Sequence, residues 1–270
     1  MNAVAADPVA VAGPPARLRL ASFNIQTGLS TAAFHEYLTG GWRHLLPSSK
    51  RLPNLLRIAR LVGGFDIVGL QEVDGGGLRS QRIVQTEFLA QQACFPYWHN
   101  QVNRRVGHLA LHSNGLLSRI KPALIEDHPL PGLPGRGAIF VRFGSGTQSF
   151  HLCVLHLALS RRTRMRQLAF VGELVGGRQR VVVMGDFNCE PESREMQLLV
   201  RAADLQDPVC DLKTFPSWRP RRMLDHILVS RDWFVEQVKV LDCRCSDHLP
   251  VTLSIRWSQP AASERSGVAA

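Results

Sequence analysis

Apolar and polar residues alternate with two different periods along the chain, and these periods predict both strands and helices. Near the N-terminus, Leu18 and Leu20 lie on one face of an extended segment and Phe23 on the other, which predicts a strand. Residues 52–62 instead repeat their apolar positions at helical spacing, and a Gly-Gly pair follows them. The N-terminal part of the chain therefore mixes strands with helices.

The middle of the chain repeats this alternation. Two strand patterns at residues 138–143 and 150–157 are joined by the turn sequence GSGTQ, which predicts a hairpin. Residues 165–175 follow a helical pattern, and residues 181–184 are apolar on both faces, as in a central, covered strand. Further strands are predicted at residues 66–72, 224–229 and 249–255, and a further helix near residues 192–201. Hairpins interspersed with helices indicate two packed sheets with helices outside.

No linker interrupts this pattern, so we expect one continuous domain over residues 16–258. Residues 1–15 and 259–270 are rich in small residues and are predicted to be a disordered lead-in and tail. The N-terminus lacks the basic start of a secretory signal, and no run approaches the about 18 apolar residues of a membrane span. We therefore expect a cytoplasmic monomer without a transmembrane segment.

The composition is that of a globular protein, with 45% hydrophobic and 20% charged residues among 270, which excludes disordered and fibrous classes. The formal net charge of +10 indicates polyanionic partners such as nucleic acid or an acidic membrane surface. Nearly all of this charge is arginine, which suits bidentate phosphate contacts. An arginine-rich, solvated surface explains the charge equally well, so charge alone does not identify the substrate.

The six cysteines form no CxxC pair and have no histidine partners at zinc-like spacing. Cys153 and Cys189 lie in or beside apolar runs, where cysteine is usually a small core residue. Cys243 and Cys245 precede Ser246 closely, and metal binding or oxidation stays open for them. A reducing compartment is the simpler inference.

Seven short polar motifs carry the candidate chemistry, and each follows or ends an apolar run. They are FNI with Asn24, LQEVD with Glu72, SNGLLSR with Asn114, LHLAL with His156, GDFN with Asp186 and Asn188, LDHI with Asp225, and SDH with Asp247 and His248. Strands that bring carboxylates, amides and histidines together suit metal-assisted phosphoester hydrolysis, because a hard cation prefers oxygen ligands and an attacking water needs a base.

Each motif alone also has a purely structural interpretation. Glu72 is consistent with a carboxylate that caps a turn at a strand end, and GDFN with a local Asx turn. A lone histidine such as His156 near a strand end is more often structural than catalytic. The order and spacing of the whole set distinguish these interpretations better than any single motif does.

The ordered set resembles the endonuclease/exonuclease/phosphatase superfamily, the DNase I-like fold, in a small bacterial form and over nearly the whole chain. The resemblance implies an α/β protein of the α+β type, a four-layered sandwich of two mixed β-sheets flanked by helices. It also implies phosphoester hydrolysis with a divalent ion, usually magnesium, with manganese as the alternative.

The resemblance implies a role for each motif residue. Glu72 would be the principal metal ligand, with Asn24 and Asp247 beside the same ion. Asp186 and Asn188 would place and activate the attacking water. These assignments agree with the preference of magnesium for one or two carboxylates together with water and phosphate oxygens.

The remaining motif residues would act on the phosphate. His248 would lie against it, as base or as charged stabiliser, with Asp225 accepting its other ring N–H. His156 would bind the phosphate or protonate the leaving group, and Asn114 would support the phosphate or His156. His226 matches no catalytic role.

Two arginine-rich segments are further candidates for structural or substrate-binding roles. Arg164 with Gln167 resembles an Arg-x-x-Gln helix of the family, in which the arginine is often structural. Trp218 and Arg219, followed by two further arginines, lie in the loop before Asp225 and are predicted to bind substrate. Arginine beside an aromatic residue suits nucleic acid, by phosphate contact and base stacking, and equally suits an anionic phospholipid surface.

Three functional hypotheses follow. The first is a magnesium-dependent phosphodiesterase, an endonuclease that acts on nucleic acid by in-line attack of water. The second is a phosphodiesterase or phosphatase for phospholipid or a small phosphoester. The third is a catalytically inactive binding module, and the complete set of acids, amides and histidines argues against it.

Overall fold

The structure is a computed structural model and describes residues 15, 17–29, 49–209 and 212–257. The segments expected to be disordered lie outside these residues except for residue 15, so the domain limits of 16–258 stay a prediction. Among the described residues, no helix is both long and apolar enough to cross a membrane.

Within the described residues the chain forms twelve strands and four α-helices. The strands are β1 (Arg17–Asn24), β2 (Ile67–Asp74), β3 (Tyr97–Val106), β4 (Ala110–Ser118), β5 (Pro122–Pro129), β6 (Gly137–Phe143), β7 (Phe150–His156), β8 (Val181–Asp186), β9 (Leu205–Gln206), β10 (Asp225–Ser230), β11 (Phe234–Val240) and β12 (Val251–Arg256). The helices are α1 (Arg51–Val62), α2 (Gln85–Gln92), α3 (Arg161–Val175) and α4 (Arg194–Ala202).

The strands form two mixed sheets of six strands each. The first sheet has the order β11-β12-β1-β2-β4-β3, and the second has the order β5-β6-β7-β8-β10-β9. In each sheet the central pair is parallel, β1 with β2 and β7 with β8, and the other neighbours are antiparallel. The predicted hairpin of β6 and β7 is confirmed by their antiparallel register.

Three apolar clusters define four layers. One cluster lies between the sheets and includes Leu20, Val154 and Met184. A second lies between the first sheet and helices α1 and α2, and a third between the second sheet and helices α3 and α4. The predicted four-layered sandwich of two mixed sheets with outer helices is confirmed. The buried pattern of β8 also matches its prediction as a strand covered on both faces.

The topology brings the functional motifs to one edge of the sandwich. Strands β1 and β2 run parallel, so Asn24 and Glu72 lie at neighbouring strand ends. Strands β7 and β8 also run parallel, and their register pairs His156 with Asp186. Strand β10 is antiparallel to β8 and begins at Asp225, directly opposite Asp186.

Candidate active site

Asn24 joins the two sheets at the centre of the site. Its Nδ2 donates to Glu72 Oε1 at 3.2 Å and to Asp186 Oδ2 at 3.0 Å, and its Oδ1 accepts from the backbone N–H of Gln26 at 3.1 Å. The Asn24 side chain is buried, so these bonds form away from bulk solvent. One amide therefore fixes a carboxylate from each sheet.

A bulge near the end of β2 sets the direction of the Glu72 side chain. The pairing of β2 with β4 shifts register between Leu70 and Val73, and Glu72 has a φ of 55°. Such a bulge re-aims one side chain out of the regular alternation of the strand. The Glu72 side chain stays 36% exposed, so its carboxylate is open to a solvent-borne ligand.

Gly185 allows β8 to approach β7 closely enough to place Asp186. Its φ is 154°, and a Cβ at this position would lie 2.0 Å from the backbone oxygen of Leu155. Asp186 Oδ1 accepts from the backbone N–H of Asn188 at 2.9 Å, and Asn188 Nδ2 donates to the Leu157 oxygen at 2.9 Å. The GDFN motif thus forms the local Asx-type turn and also presents a buried carboxylate to the site.

His248 and Asp225 form a buried pair. His248 Nδ1 lies 2.7 Å from Asp225 Oδ2, and Thr214 Oγ1 donates to the same oxygen at 2.6 Å. Burial lowers the pKa of His248, but Asp225, Asp186 and Asp247 together raise that pKa well above its ordinary value. These carboxylates favour the imidazolium form of His248, whose Nε2 lies 3.8 Å from Asp186 Oδ2.

Asp247 and Asp186 are buried carboxylates, and each lies near another acidic group. Burial raises the pKa of Asp186 to about 6, against the opposing effect of His248. Burial also raises the pKa of Asp247 to about 6, and the charge of Glu72 adds to this shift. Asp247 Oδ1 accepts from Ser246 Oγ at 3.1 Å. A cation among these groups would favour their ionised forms.

His156 has the opposite electrostatic setting. Its Nε2 lies 3.4 Å from Asp186 Oδ2 and 4.0 Å from Glu72 Oε1. The pKa of His156 lies well below its ordinary value, chiefly because of burial and then because of the positive charge of Arg136. The site therefore holds one charged and one neutral imidazole, a difference set by their neighbours.

Arg136 is a functional candidate that the sequence did not reveal. One terminal guanidinium nitrogen lies 2.7 Å from His156 Nδ1 and 2.6 Å from His156 Nε2. Burial lowers the pKa of Arg136, while Glu72 and Asp186 oppose that effect. Its sequence signal is an arginine between Gly135 and Gly137, in the turn that leads into β6.

Asn114 supports the segment that carries Arg136. Its Nδ2 donates to the Gly137 oxygen at 2.9 Å and to Gln101 Oε1 at 3.3 Å. A Cβ on Gly137 would lie 2.0 Å from Asn103 Oδ1, so only glycine leaves these amides in place. The contacts place Asn114 in the wall of the site, and its predicted role in substrate binding stays a prediction.

A pocket of about 250 Å³ opens beside His156. Its lining combines acidic, basic and amide side chains: Glu72, Asn103, Arg104, His112, Asn114, Arg136 and His156. The long side chain of Arg104 passes over Gly135, with Cδ at 3.3 Å from the position of a Cβ there. The pocket therefore combines one carboxylate with two arginines and further polar side chains.

Trp218 and Arg219 lie at the rim of the site and outside that pocket lining. The preceding Ser217 is fixed to the SDH segment, because its N–H donates to the Asp247 oxygen at 2.7 Å and its Oγ donates to the Ser246 oxygen at 2.6 Å. Trp218 is partly buried, and Arg219 is exposed. Their predicted substrate contacts stay a prediction.

Two further residues have structural environments. Arg164 donates to Glu195 Oε1 at 2.9 Å and to the Ala158 oxygen at 3.3 Å, as expected for a structural arginine. His226 is buried, with Nδ1 at 2.7 Å from Asp207 Oδ2 and Nε2 at 3.0 Å from the Cys189 oxygen. Both ring nitrogens thus have partners within the fold, and one partner is the backbone oxygen of the residue after Asn188.

In the part of the chain that the structure describes, one group of three potential metal-ligand residues has its ligand atoms mutually within 4.8 Å: Asp186, Asp225 and His248. This group differs from the predicted ligands Asn24, Glu72 and Asp247. His248 Nδ1 and Asp225 Oδ2 are hydrogen-bonded to each other, so two members of the group form a hydrogen-bonded pair rather than an open set of ligands. The carboxylate of Glu72 is more exposed to solvent than those of Asp186 and Asp225.

Comparison with known proteins identifies the family pattern. A family model described as Endonuclease/Exonuclease/phosphatase family matches residues 21–248. None of the curated proteins matches the chain at the sequence level.

Similar solved structures share the fold. An endonuclease/exonuclease/phosphatase from Beutenbergia cavernae has 21% identity and a TM-score of 0.70, over 90% of this chain and 72% of its own. A mannosyl-6-phosphatase from Bacteroides thetaiotaomicron has 19% identity and a TM-score of 0.68, over 89% and 100%. The human Nocturnin catalytic domain with bound sulfate has 19% identity and a TM-score of 0.67, over 90% and 94%.

Proposed function

Because the chain belongs to the endonuclease/exonuclease/phosphatase family, a family of phosphoester hydrolases, we propose that it is a magnesium-dependent phosphodiesterase that cleaves nucleic acid. The observation that carries this proposal is the position of Asn24 between the carboxylates of Glu72 and Asp186, with His156 and His248 both within 4 Å of Asp186. Acidic oxygens, a neutral imidazole and a charged imidazole thus converge on one small volume.

The donor set agrees with a hard divalent cation. Glu72 and Asp247 would supply carboxylate oxygens, and the pKa of Asp247 is raised chiefly by burial and then by the charge of Glu72, as expected within an acidic cluster. Asn24 would join this set if its amide rotated by half a turn, so that Oδ1 faced the carboxylates in place of Nδ2. The two groups have nearly identical shapes. Magnesium prefers such oxygen ligands, and manganese accepts them too. When bound, the cation would polarise a phosphoryl oxygen and offset developing charge.

Asp186 and Asn188 position and activate the water. Asp186 Oδ2 is held by Asn24 and its Oδ1 by the backbone of Asn188, so the carboxylate cannot rotate freely. Burial raises the pKa of Asp186 to about 6 in the absence of a cation, and a bound cation would favour the ionised form that a general base needs. Asn188 follows with a φ of 53°, a fixed conformation beside that carboxylate.

The two histidines act on the phosphate in different ways. His248, kept protonated by Asp225, would donate Nε2–H to a phosphoryl oxygen and stabilise its charge as the water attacks. His156 is kept neutral by burial and by Arg136. Its contact with the guanidinium of Arg136 would hold that positive group near the leaving oxygen. Preorganised donors of this kind supply much of the stabilisation in phosphoryl transfer.

The charge distribution supports nucleic acid as the substrate. The chain carries a formal charge of +10, and Arg219 and Arg221 are exposed on the loop fastened to Asp247. Arg104 and Arg136 line the pocket beside His156. Arginines both on this loop and in the pocket suit the sugar–phosphate backbone of a nucleic acid.

Hydrolysis of a small phosphoester or a phospholipid is the second candidate function, and the pocket beside His156 favours a substrate of this kind. A cavity of about 250 Å³ directly beside His156 is a natural place for a single compact group. One of the similar structures is that of a mannosyl-6-phosphatase. Trp218 and Arg219 also suit an anionic phospholipid headgroup. The inactive binding module is disfavoured by the complete catalytic set.

A substrate panel tests the proposal. Purified full-length protein with magnesium, and then with excess EDTA, is offered plasmid DNA, RNA, anionic phospholipid vesicles and bis(p-nitrophenyl) phosphate. We expect magnesium-dependent cleavage of nucleic acid, and we expect Asp186→Asn to lose this activity. The KM for nucleic acid should rise steeply with salt concentration. Cleavage of vesicles but not of nucleic acid would reject the nuclease assignment, and equal inactivity of wild type and variant on every substrate would reject hydrolysis itself.

A further inference from the structure

Cys243 and Cys245 form a close thiol pair that the hydrolytic mechanism does not use. Their Sγ atoms lie 2.9 Å apart, on either side of Arg244 and immediately before the SDH motif. A disulfide bond is about 2.05 Å long. The two sulfurs therefore need to approach by only about 0.9 Å, within one short loop, to become bonded.

The two thiols differ in accessibility and reactivity. Cys243 is partly exposed, whereas Cys245 is buried. The hydrogen bond between the two thiols lowers the pKa of Cys243 to about 7, against the effect of burial, and the positive charge of Arg57 contributes. A substantial fraction of Cys243 is thus thiolate at neutral pH, and the thiolate is the nucleophile in disulfide exchange.

Metal binding is the poorer explanation of this pair. In the described part of the chain, the one group of three potential metal-ligand residues is Asp186, Asp225 and His248, and it contains neither cysteine. Two thiols without a third ligand fall short of the four ligands that a structural zinc site needs. Reversible oxidation needs only the two sulfurs and an oxidant.

We propose that Cys243 and Cys245 are a redox site, which glutathione disulfide or another small disulfide converts into an intramolecular disulfide. The Cys243 thiolate attacks one sulfur of the glutathione disulfide, forms a mixed disulfide and releases one glutathione thiolate. The thiol of Cys245 then loses its proton and attacks Cys243 Sγ, which releases the second glutathione. Two electrons pass from the protein thiols to the small disulfide, and a reduced dithiol reverses the exchange.

The site is connected to the proposed catalytic loop. The Cys245 backbone oxygen accepts from Asn54 Nδ2 at 2.7 Å, which ties the loop to helix α1. The next residue, Ser246, binds Asp247 Oδ1 through its hydroxyl and also accepts from the backbone N–H of His248 at 3.3 Å. A new bond at Cys245 therefore acts on the segment that orients Asp247 and His248. This consequence rests on the proposed function.

Peptide mapping tests the redox site without reference to activity. The full-length protein is incubated with glutathione disulfide, the remaining thiols are alkylated, and the protein is digested with trypsin. Trypsin cuts after Lys239, Arg244 and Arg256, so residues 240–244 and 245–256 separate unless a disulfide joins them. We expect the joined pair, two hydrogens lighter than the sum of the two peptides. Recovery of both peptides separately, with alkylated or glutathionylated cysteines, would overturn the proposal.

Single substitutions provide matched controls. Cys243→Ser should abolish the joined pair, whereas Cys94→Ser, which removes an exposed thiol elsewhere, should leave it unchanged. Hydrolysis by the wild type should fall on oxidation and recover with dithiothreitol, and Cys243→Ser should resist both treatments. A joined pair with unchanged hydrolysis would overturn the connection to the catalytic loop, while absence of hydrolysis in the reduced protein counts against the proposed function alone.

Discussion

The amide of Asn24 lies between the carboxylates of Glu72 and Asp186, at 3.2 and 3.0 Å. Glu72 lies near the end of a strand of one sheet and Asp186 ends a strand of the other, so a single side chain joins the two halves of the sandwich. A donor between two carboxylates offsets part of their repulsion. The same place suits a cation, and this relationship gives the first prediction.

Substitution of Asn24 by Asp should destabilise the cation-free protein and make its stability strongly dependent on magnesium. The change keeps the shape of the side chain but replaces the shared donor by another negative charge. We expect a lower Tm than wild type in EDTA, and a larger rise in Tm on adding magnesium, because ligand bound only by the folded state stabilises it. Asn24→Ala, which removes the donor without adding charge, should respond less to magnesium than Asn24→Asp. Equal magnesium-dependent shifts in the three proteins would contradict a cation beside Asn24.

Substitution of Glu72 by Gln should weaken magnesium binding by at least about tenfold, since a ligating carboxylate loses its charge and magnesium is held by few protein ligands. Isothermal titration calorimetry on the full-length protein measures the affinity directly. Glu173→Gln, at an exposed position in helix α3, is the matched control and should bind as wild type does. Unchanged affinity in Glu72→Gln would remove Glu72 from the cation site.

Most motif residues were predictable because they are polar side chains at or beside the ends of apolar strands. Asp186 and His156 follow such runs, and the parallel pairing of β7 with β8 brings them together. Thr214 was not predictable, since it lies in a proline-punctuated loop and approaches Asp225 only through the fold. Arg136 lies between glycines in a turn, where a charged residue ordinarily indicates solvent exposure.

Some elements of the fold were likewise predictable from the sequence, and others were not. The hairpin of β6 and β7 and the covered strand β8 were clear from their apolar patterns. Strand β3 is a contrasting case, because most of its residues are polar or exposed and its pairing with β4 determines its position. The turning of Glu72 into the site depends on a bulge, and no residue type in LQEVD specifies one.

Thr214 should support catalysis through Asp225. Its hydroxyl donates to the Asp225 oxygen that also binds His248, so Thr214→Val leaves that buried carboxylate with one donor fewer. We expect kcat to fall with little change in KM, and to fall less than in Asp225→Asn, where loss of about 10²–10⁴-fold is typical for a disabled acid–base group. Thr214→Ser keeps the hydroxyl and should restore kcat. A Ser variant as impaired as Val would show that packing, and not the hydrogen bond, is responsible.

Arg136 should contribute both to substrate binding and to the neutral state of His156. Arg136→Ala removes a positive charge next to the imidazole, so the pKa of His156 should rise, since that charge is one of the causes that lower it. NMR titration of the histidine resonances measures this change, and steady-state kinetics should show a raised KM. Arg136→Lys keeps the charge and should retain the low pKa of His156, although it loses the planar fork. An unchanged His156 pKa in the Ala variant would place Arg136 farther from the ring in solution.

The buried pair of His226 and Asp207 should make stability depend on pH in a direction that can be stated in advance. Burial lowers the pKa of His226, but the hydrogen bond and charge of Asp207, with the Cys189 oxygen, raise the pKa above its ordinary value. A group whose folded pKa exceeds its unfolded pKa contributes stability that is complete below the unfolded value, near pH ~6.5 for histidine. That contribution declines as pH rises through the folded pKa.

The comparison of wild type with His226→Phe isolates this contribution, because the many carboxylates of the active site affect both proteins alike. The free energy of unfolding, measured by urea denaturation, should favour wild type more at pH 5.5 than at pH 9. Phenylalanine retains the ring that packs at 5.2 Å from Phe187, so the loss of packing is small and independent of pH. Asp207→Asn should remove the same pH dependence while keeping the imidazole. A difference between wild type and His226→Phe that stayed constant from pH 5.5 to 9 would show that the pKa of His226 is the same in the folded and unfolded protein, and would contradict the raised pKa.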